Sequence, residues 1–347
     1  MQEIELPRKI IVGEGVYPKI PGVLEKLDDF SSILIVMGMK TRDLVGKKIL
    51  KILNNHYNLN FIYAKSCDHS TLQRVKKHAN LVKADLVFGI GGGKNIDLAK
   101  AVAHHMKIPY ISIPTILSHD GIASDRAVIA KGKKKYPILG SPPLAVIADL
   151  DVLSQAPYRY FSAGCGDVIA KKTSVLDWGL ARDKKNEDYD DFIANLTYSA
   201  AETIINNAKK HGDNYKTSVK LLLESLITCG MAMTITKSSR PCSGSEHMFS
   251  HTLDFLVPEN TALHGEKCAL GAYIMSYLHG VDYEKVKEAL VCYRLPTNFR
   301  EIKVFPKVLI KALSTAHKIR SDRRYTILKK GVSKKEAEKI LTKLKVI

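Results

Sequence analysis

Two rhythms of apolar and polar positions divide this chain. Up to about residue 150, short β-rich runs alternate with amphipathic stretches. The runs are SILIVMG (32–38), NFIYAK (60–65), DLVFGI (85–90), YISIP (110–114) and LAVIADL (144–150). Between them TRDLVGKKILKILNN (41–55), TLQRVKKHANLVK (71–83) and NIDLAKAVAHHM (95–106) space their apolar residues three and four apart, the helical period. Strand–helix alternation of this kind predicts a mostly parallel sheet covered on both faces, a Rossmann-like α/β domain. After about Pro157 the strand-like runs stop. Segments 188–210, 218–237, 244–257, 264–279, 282–293 and 305–318 read as helices separated by breaks such as HGDN, SRPCSG and VPEN. The expected organisation is an α/β dinucleotide-binding domain over 1–156 and an all-α domain over 157–347. A cleft between the two is the natural place for an active site.

Composition narrows the class. The 347 residues are 45% hydrophobic and 25% charged, ordinary for a globular chain. No apolar run reaches the length needed to span a bilayer, and MQEIELPRKI lacks a charged-then-apolar leader, so a cytoplasmic protein without membrane insertion is expected. Six cysteines, at 67, 165, 229, 242, 268 and 292, form no C-x-x-C pair. That speaks against a cysteine-based zinc module and for reduced thiols. A net charge of +18 favours anionic partners, phosphorylated metabolites among them. The lysine runs KGKKKYP (131–137) and GVSKKEAEKILTKLK (331–345) read as solvated surface. No basic patch interleaved with aromatics accompanies them, so nucleic acid is not an expected partner.

DLVFGIGGGKNIDLAKAV (85–102) reads as strand, glycine turn and helix. Gly91, Gly92 and Gly93 let a backbone come close to a ligand, and a helix beginning near Asn95 would aim free N–H groups and its positive dipole end at the turn. A pyrophosphate suits such a place. The spacing is neither G-x-G-x-x-G nor the P-loop pattern.

Three of the 12 histidines fall within SGSEHMFSHTLDFLVPENTALHGEK (243–267). His247 and His251 are four apart and share a helix face, while His264 opens the next helix. Two geometries are open: both His247 and His251 on one metal, or His247 with His264 from two helices and His251 facing substrate. Zinc accepts imidazole nitrogen and carboxylate oxygen. Asp167, in AGCGDVIAKK (163–172), follows a glycine-rich turn at the expected start of a helix.

Taken together, GIGGGKNIDLAK (89–100), SIPTILSHDGIASDRAVI (112–129), AGCGDVIAK (163–171), SSRPCSGSEHMFSH (238–251), LHGEK (263–267) and RRYTIL (323–328) resemble the sn-glycerol-1-phosphate dehydrogenases. That family lies in a wider group with glycerol dehydrogenases, iron-containing alcohol dehydrogenases and dehydroquinate synthases. The resemblance spans nearly the whole chain. It implies a metal held by Asp167, His247 and His264, with His251 and Asp120 on the substrate. The turn Gly91, Gly92, Gly93, Lys94, Asn95, Ile96 and Asp97 is implied to hold the cofactor diphosphate. Thr115, Ile116, Leu117, Ser118 and Ser124 are implied along the cofactor toward the nicotinamide. Where the family reads DGIASP, this chain has Asp125-Arg126 in place of the proline.

The implied reaction is NAD(P)H-dependent, zinc-assisted reduction of dihydroxyacetone phosphate to sn-glycerol 1-phosphate, which supplies the glycerophosphate backbone of archaeal-type membrane lipids. One Zn²⁺ per chain and a homo-oligomer are implied with it. Lys40 and Arg42, in the loop after the first strand of the alternating series, are placed to meet a 2′-phosphate, so NADPH is expected to be accepted along with NADH. Arg240 is a candidate grip for the substrate phosphate. The rivals are a dehydrogenase of unphosphorylated polyols, a dehydroquinate-synthase-like lyase and a basic nucleic-acid-binding protein.

Overall fold

A computed structural model describes residues 4–132, 134–319 and 325–347. By internal packing the chain separates into two compact units, Met1–Pro157 and Tyr158–Ile347.

The first unit is built on strands β1 (Lys9–Gly13), β2 (Ser32–Met37), β3 (Asn58–Tyr63), β4 (Leu86–Gly91), β5 (Tyr110–Pro114) and β8 (Ala145–Asp149). They form one sheet in the order β1-β8-β5-β4-β2-β3, and every pairing is parallel. All residues of β2, β4, β5 and β8 are buried, as continuous apolar strands covered on both faces must be. Helices Lys47–Leu53, His69–Leu81 and Gly93–Met106 follow β2, β3 and β4. The Asp68 carboxylate caps the second of these by accepting from Thr71 N at 2.8 Å.

Two elements of this unit escape the periodicity. β1 is a short edge strand, exposed at Lys9 and Ile10 and partly buried from Ile11 on, with no alternating signal. β6 (Arg126–Lys131) and β7 (Lys134–Leu139) pair antiparallel as a separate hairpin around Gly132 (φ +62°). The run KGKKKYP, expected as plain solvated surface, therefore supplies the last residue of β6, Gly132, and residues 134–137 of β7.

Helices Tyr158–Lys185, Asp191–Asn207, Tyr215–Thr236, Ser245–Leu256, His264–Leu278, Tyr283–Cys292, Pro306–Thr315 and Lys334–Lys343 make up most of the second unit, which has no strand among its described residues. Three expectations are corrected here. Asp167 does not start a helix: it lies nine residues beyond Tyr158 in a 28-residue helix, with AGCG inside the helix and not in a turn. GVSKKEAEKILTKLK is more than a solvated charge run. Its helix Lys334–Lys343 buries Ala337, Ile340 and Leu341 on one face, the stripe a helical period produces. Tyr215–Thr236 is long and apolar enough to cross a membrane by length and composition, though most of it is buried inside the unit, as in a core helix.

Candidate active site

The strand order reverses around β2: β3 lies on one side of it and β4 on the other. In open parallel sheets, ligands bind beyond the carboxyl ends of strands at such a switch point. The chain leaves β2 through Gly38 and leaves β4 through Gly91, Gly92 and Gly93. These turns touch. A Cβ on Gly91, whose φ is +138°, would stand 2.4 Å from Asn95 Nδ2 and 3.1 Å from Thr41 Oγ1. A Cβ on Gly93 would stand 1.8 Å from His119 Nε2. The φ of Gly91 requires glycine whatever the space, and a side chain at position 93 would have to displace His119, so part of the triplet is explained by the protein's own packing. The helix end is better evidence of an anion. Gly93–Met106 starts after Gly92 without a side-chain cap, which leaves N–H groups for an anion.

The other residues of the loop divide by exposure. Lys94 is exposed, whereas Asn95, Ile96 and Asp97 turn inward. Asn95 Nδ2 donates to Ile90 O at 3.2 Å, and Asp97 Oδ2 accepts from Val128 N at 3.1 Å, which ties the hairpin to the helix. Thr115, Leu117 and Ser124 are buried, and Ile116, Ser118 and Asp120 are partly exposed. Ser124 sits in an internal network: Lys100 Nζ donates to its Oγ at 3.3 Å, to Gly121 O at 2.7 Å and to Arg126 O at 2.6 Å. Asp125 and Arg126, the pair standing where the family has proline, form an ion pair at 3.1 Å. Arg42 is held by Asp43, Nη2 to Oδ1 at 2.9 Å, on the turn that follows β2.

In the second unit three helices bring Asp167, His247 and His264 together. Close backbone approach makes this possible. A Cβ on Gly265 would stand 1.8 Å from Ala163 O, and one on Gly166 would stand 2.5 Å from Gly265 O. The Asp167 and His264 helices therefore touch main chain to main chain. Asp167 Oδ1 lies 3.7 Å from His247 Nε2 and 3.8 Å from His264 Nε2. Asp167 and His247 are buried, while the His264 side chain is 36% exposed. Single ligand atoms from Asp167, His247, His264 and Cys268 all lie within 4.8 Å of one another. His251 is outside this group, with its ring 6.2 Å from that of His247 and 6.0 Å from that of His264.

Neighbouring groups orient this cluster. Glu246, fully buried, accepts from His247 Nδ1 at 2.7 Å and from Gly244 N at 2.7 Å through Oε1, and from Thr173 Oγ1 at 2.9 Å through Oε2. That bond places the His247 proton on Nδ1 and turns Nε2 to Asp167. Asp177 accepts from Ser245 N at 2.6 Å and Ile327 N at 2.7 Å, which fixes the start of the His247 helix. Lys171 Nζ stands 3.0 Å from Asp167 Oδ1. Burial pushes the Asp167 carboxyl up, but Lys171 and the two histidines outweigh it and hold it well below the usual carboxylate range. Burial pushes the His247 imidazole down, yet Cys268, Asp167 and Glu246 leave it well above its ordinary value. The Cys268 thiol is raised by burial and lowered more by His247 and His264, to about 6.

These donors fit a divalent metal. A tetrahedral site with nitrogen and oxygen donors at ~2.1 Å has donor–donor edges of ~3.4 Å, close to the separations from Asp167 to the two histidines. Glu246, Lys171 and Cys268 are the members of this site that periodicity and spacing do not reveal. Glu246 and Cys268 each carry a faint signal, adjacency to His247 and an i,i+4 relation to His264.

Arg240 does not fit its expected role. It is buried, and its Nε and Nη2 are paired with Glu187, while Nη2 also donates to Tyr325 O at 3.0 Å. Nε and Nη2 are thus committed to structural partners, and among the described residues only the buried Nη1 is left without a hydrogen bond. Of RRYTIL, Arg323 and Arg324 lie outside the described residues.

The sequence pattern of the family described as iron-containing alcohol dehydrogenase matches residues 11–157. Glycerol-1-phosphate dehydrogenase [NAD(P)+] of Methanosarcina mazei is 41% identical over 345 residues, covering 99% of this chain and 96% of its own. The Thermococcus sibiricus protein of that name is 40% identical over 340 residues, covering 98% and 97%. Among solved structures, a probable glycerol dehydrogenase from Sinorhizobium meliloti matches with a TM-score of 0.81 at 20% identity, over 99% of this chain and 98% of that one. Sulfoacetaldehyde reductase from Bifidobacterium kashiwanohense in complex with NAD+ matches with a TM-score of 0.75 at 14% identity, over 99% and 98%. The two structures share the fold, and identity of about 40% over nearly full length on both sides settles the rest: this chain belongs to the glycerol-1-phosphate dehydrogenase family.

Proposed function

We propose that this chain is an NAD(P)-dependent glycerol-1-phosphate dehydrogenase that interconverts dihydroxyacetone phosphate and sn-glycerol 1-phosphate. In the reducing direction the ketone takes a hydride from NAD(P)H at C2 and a proton at the C2 oxygen, and NAD(P)+ is released. The observation that carries the reading is the convergence of Asp167, His247 and His264 from three helices, in a chain matched end to end by its relatives.

We assign dinucleotide binding to the first unit and metal and substrate binding to the second. The uncapped helix end at Gly92 and Gly93 would hold the cofactor diphosphate, with Lys94 exposed beside it. Thr115, Ile116, Leu117, Ser118 and Ser124 form the segment that continues toward the nicotinamide, Ser124 acting from within the Lys100 network. Asp167, His247 and His264 would hold zinc, which when bound supplies Lewis acidity toward the substrate oxygen. Glu246 keeps the His247 proton on Nδ1, so that Nε2 offers a lone pair at the site. His251, outside the cluster, is assigned the proton that reaches the C2 oxygen through an imidazole N–H. Asp120 is assigned a substrate hydroxyl, which it orients by accepting its hydrogen bond. We assign a homo-oligomeric, cytoplasmic state on the family resemblance.

The test removes and restores zinc and follows oxidation of NADPH and of NADH, with dihydroxyacetone phosphate against dihydroxyacetone. Zinc-dependent turnover of the phosphate ester with both coenzymes is expected. Turnover of dihydroxyacetone alone would make the chain a polyol dehydrogenase.

A further inference from the structure

β2 ends without an acid: Met37, Gly38, Met39 and Lys40 follow one another, and the first carboxylate beyond them is that of Asp43. In dinucleotide-binding folds an acid near this place takes the adenosine ribose, and an arginine beside it takes a 2′-phosphate. Here the two residues are neighbours and hold each other. Arg42 Nε and Nη2 both donate to Asp43 Oδ1, at 3.1 and 2.9 Å, and Lys47 Nζ stands 3.1 Å from the same oxygen. Asp43 Oδ2 has no hydrogen bond among the described residues. Lys47 and then Arg42 hold the Asp43 carboxyl below its usual range. The pair lies beside the glycine turn that follows β4. Thr41, the residue before Arg42, has its Oγ1 only 3.1 Å from where a Cβ on Gly91 would stand. β3 ends level with β2, Tyr63 opposite Met37. The Arg42 guanidinium stands 5.7 Å from the centre of the Tyr63 ring, and Arg74 Nη2 donates to Tyr63 O at 3.3 Å. The Arg42 and Asp43 side chains are 32% and 53% exposed, so both are within reach of a ligand.

We propose that Arg42 and Asp43 together read the 2′-position of the coenzyme, Asp43 taking the hydroxyl of NADH and Arg42 the phosphate of NADPH. This rests on the assignment of the coenzyme to the first unit. Asp43 Oδ2 accepts the ribose 2′-hydroxyl while Arg42 stays on Oδ1. For NADPH, Arg42 leaves Oδ1 and turns its fork of N–H groups to the 2′-phosphate, a geometry that guanidinium and phosphate share. Lys47 remains on Asp43, so the carboxylate is not left unpaired. An ion pair this exposed is held weakly, and exchanging one anion for another at Arg42 costs little. Lys40, exposed in the same turn, adds positive charge. Acceptance of both coenzymes then follows from one pair of side chains used in two ways.

The probes are AMP, 2′-deoxy-AMP and adenosine 2′,5′-bisphosphate, which differ only at the 2′-position. Calorimetry measures their binding to the full-length wild type, Asp43→Ala and Arg42→Ala, and circular dichroism checks that each variant is folded. The wild type should bind AMP about 10-fold tighter than 2′-deoxy-AMP, as one hydrogen bond to a charged group requires, and in Asp43→Ala that gap should close. Asp43→Ala should also bind the bisphosphate about 2–5-fold tighter, because an exposed competitor for Arg42 is gone. Arg42→Ala should weaken the bisphosphate by about 10-fold and leave AMP within about 2-fold of the wild type. No gap between AMP and 2′-deoxy-AMP in the wild type, or a gap that survives in Asp43→Ala, overturns the part given to Asp43. Bisphosphate affinity unmoved by Arg42→Ala overturns the part given to Arg42. Equal weakening of all these nucleotides by Asp43→Ala marks a merely structural residue and overturns the proposal as well. A wild type that binds neither these nucleotides nor NADH overturns both the proposal and the coenzyme assignment beneath it.

Discussion

Glu246 accepts the Nδ1–H of His247 at 2.7 Å and is itself fully buried, held by Gly244 N and Thr173 Oγ1. The carboxylate decides which histidine nitrogen faces Asp167. Glu246→Gln keeps the shape and removes the charge. Zinc affinity should fall by about 10–100-fold, as for other groups that support a metal-bound histidine, with little change in folding. Glu246→Ala should in addition lower stability by ~1–3 kcal/mol, because the buried Gly244 N–H loses its partner. Chelator competition reads the first effect and urea denaturation the second.

The three histidines of 243–267 are separable by metal content. His247→Ala, His264→Ala and Asp167→Asn should each leave the purified protein with little bound zinc. His251→Ala should retain a full equivalent and lose about 10²–10⁴-fold in kcat, the usual contribution of a positioned proton donor. Elemental analysis beside steady-state kinetics distinguishes the two classes. Zinc lost from His251→Ala would return that residue to the metal.

Gly265 is a position where a single methyl should matter. Its Cβ would lie 1.8 Å from Ala163 O, so Gly265→Ala must push the Asp167 and His264 helices apart. A loss of ~1–3 kcal/mol is expected from overpacking, with metal affinity falling in parallel because ligands sit on both helices. Gly280, with open space around it, is the control for a glycine replaced on the same unit. Its φ of +69° means that Gly280→Asn, which tolerates that conformation, is the appropriate substitution. Denaturation midpoints and zinc content of the two variants should diverge.

Glu202 gives a pH dependence with a defined sign. Burial raises its carboxyl, but hydrogen bonds and charge from Lys172 and Lys285 outweigh burial and bring it below the ordinary value of 4.5. A carboxyl lowered on folding adds stability that is fully present above the unfolded value and is lost as pH falls through the folded one. The stability gap between wild type and Glu202→Gln should therefore be constant near neutrality and shrink as pH drops below the ordinary value of 4.5. Urea midpoints over that range test it; a gap that widened in acid would contradict the ion-pair account.

Much of this was legible from periodicity. The buried strands β2, β4, β5 and β8 are continuous apolar runs, and a run covered on both faces is hard to mistake. β1 and the β6–β7 hairpin carry no such continuous run: β1 is an edge strand with no fully buried residue, and β6 buries only Ala127 and Ile129. The charge run at 331–345 hid a helix because its apolar stripe is narrow among lysines. AGCG looked like a turn for a different reason. Glycine marks both turns and places where two backbones touch, and only the neighbouring helix tells which.

The sequence by itself determined the strand–helix alternation, the helical second half, the glycine turn after β4 and, through its motifs, the family. Each of these depends on residues near one another in the chain. Spacing left two metal geometries open, because a helix places His247 and His251 on one face whatever they bind. Tertiary structure decided what lies opposite that face. Asp167, 80 positions earlier, meets His247 and His264 because glycines let two helices touch. The same packing sets Glu246 behind His247 and Cys268 beside the cluster, and commits Arg240 to Glu187. A ligand set is a statement about distances between helices, and those are fixed by how side chains fill the space between them.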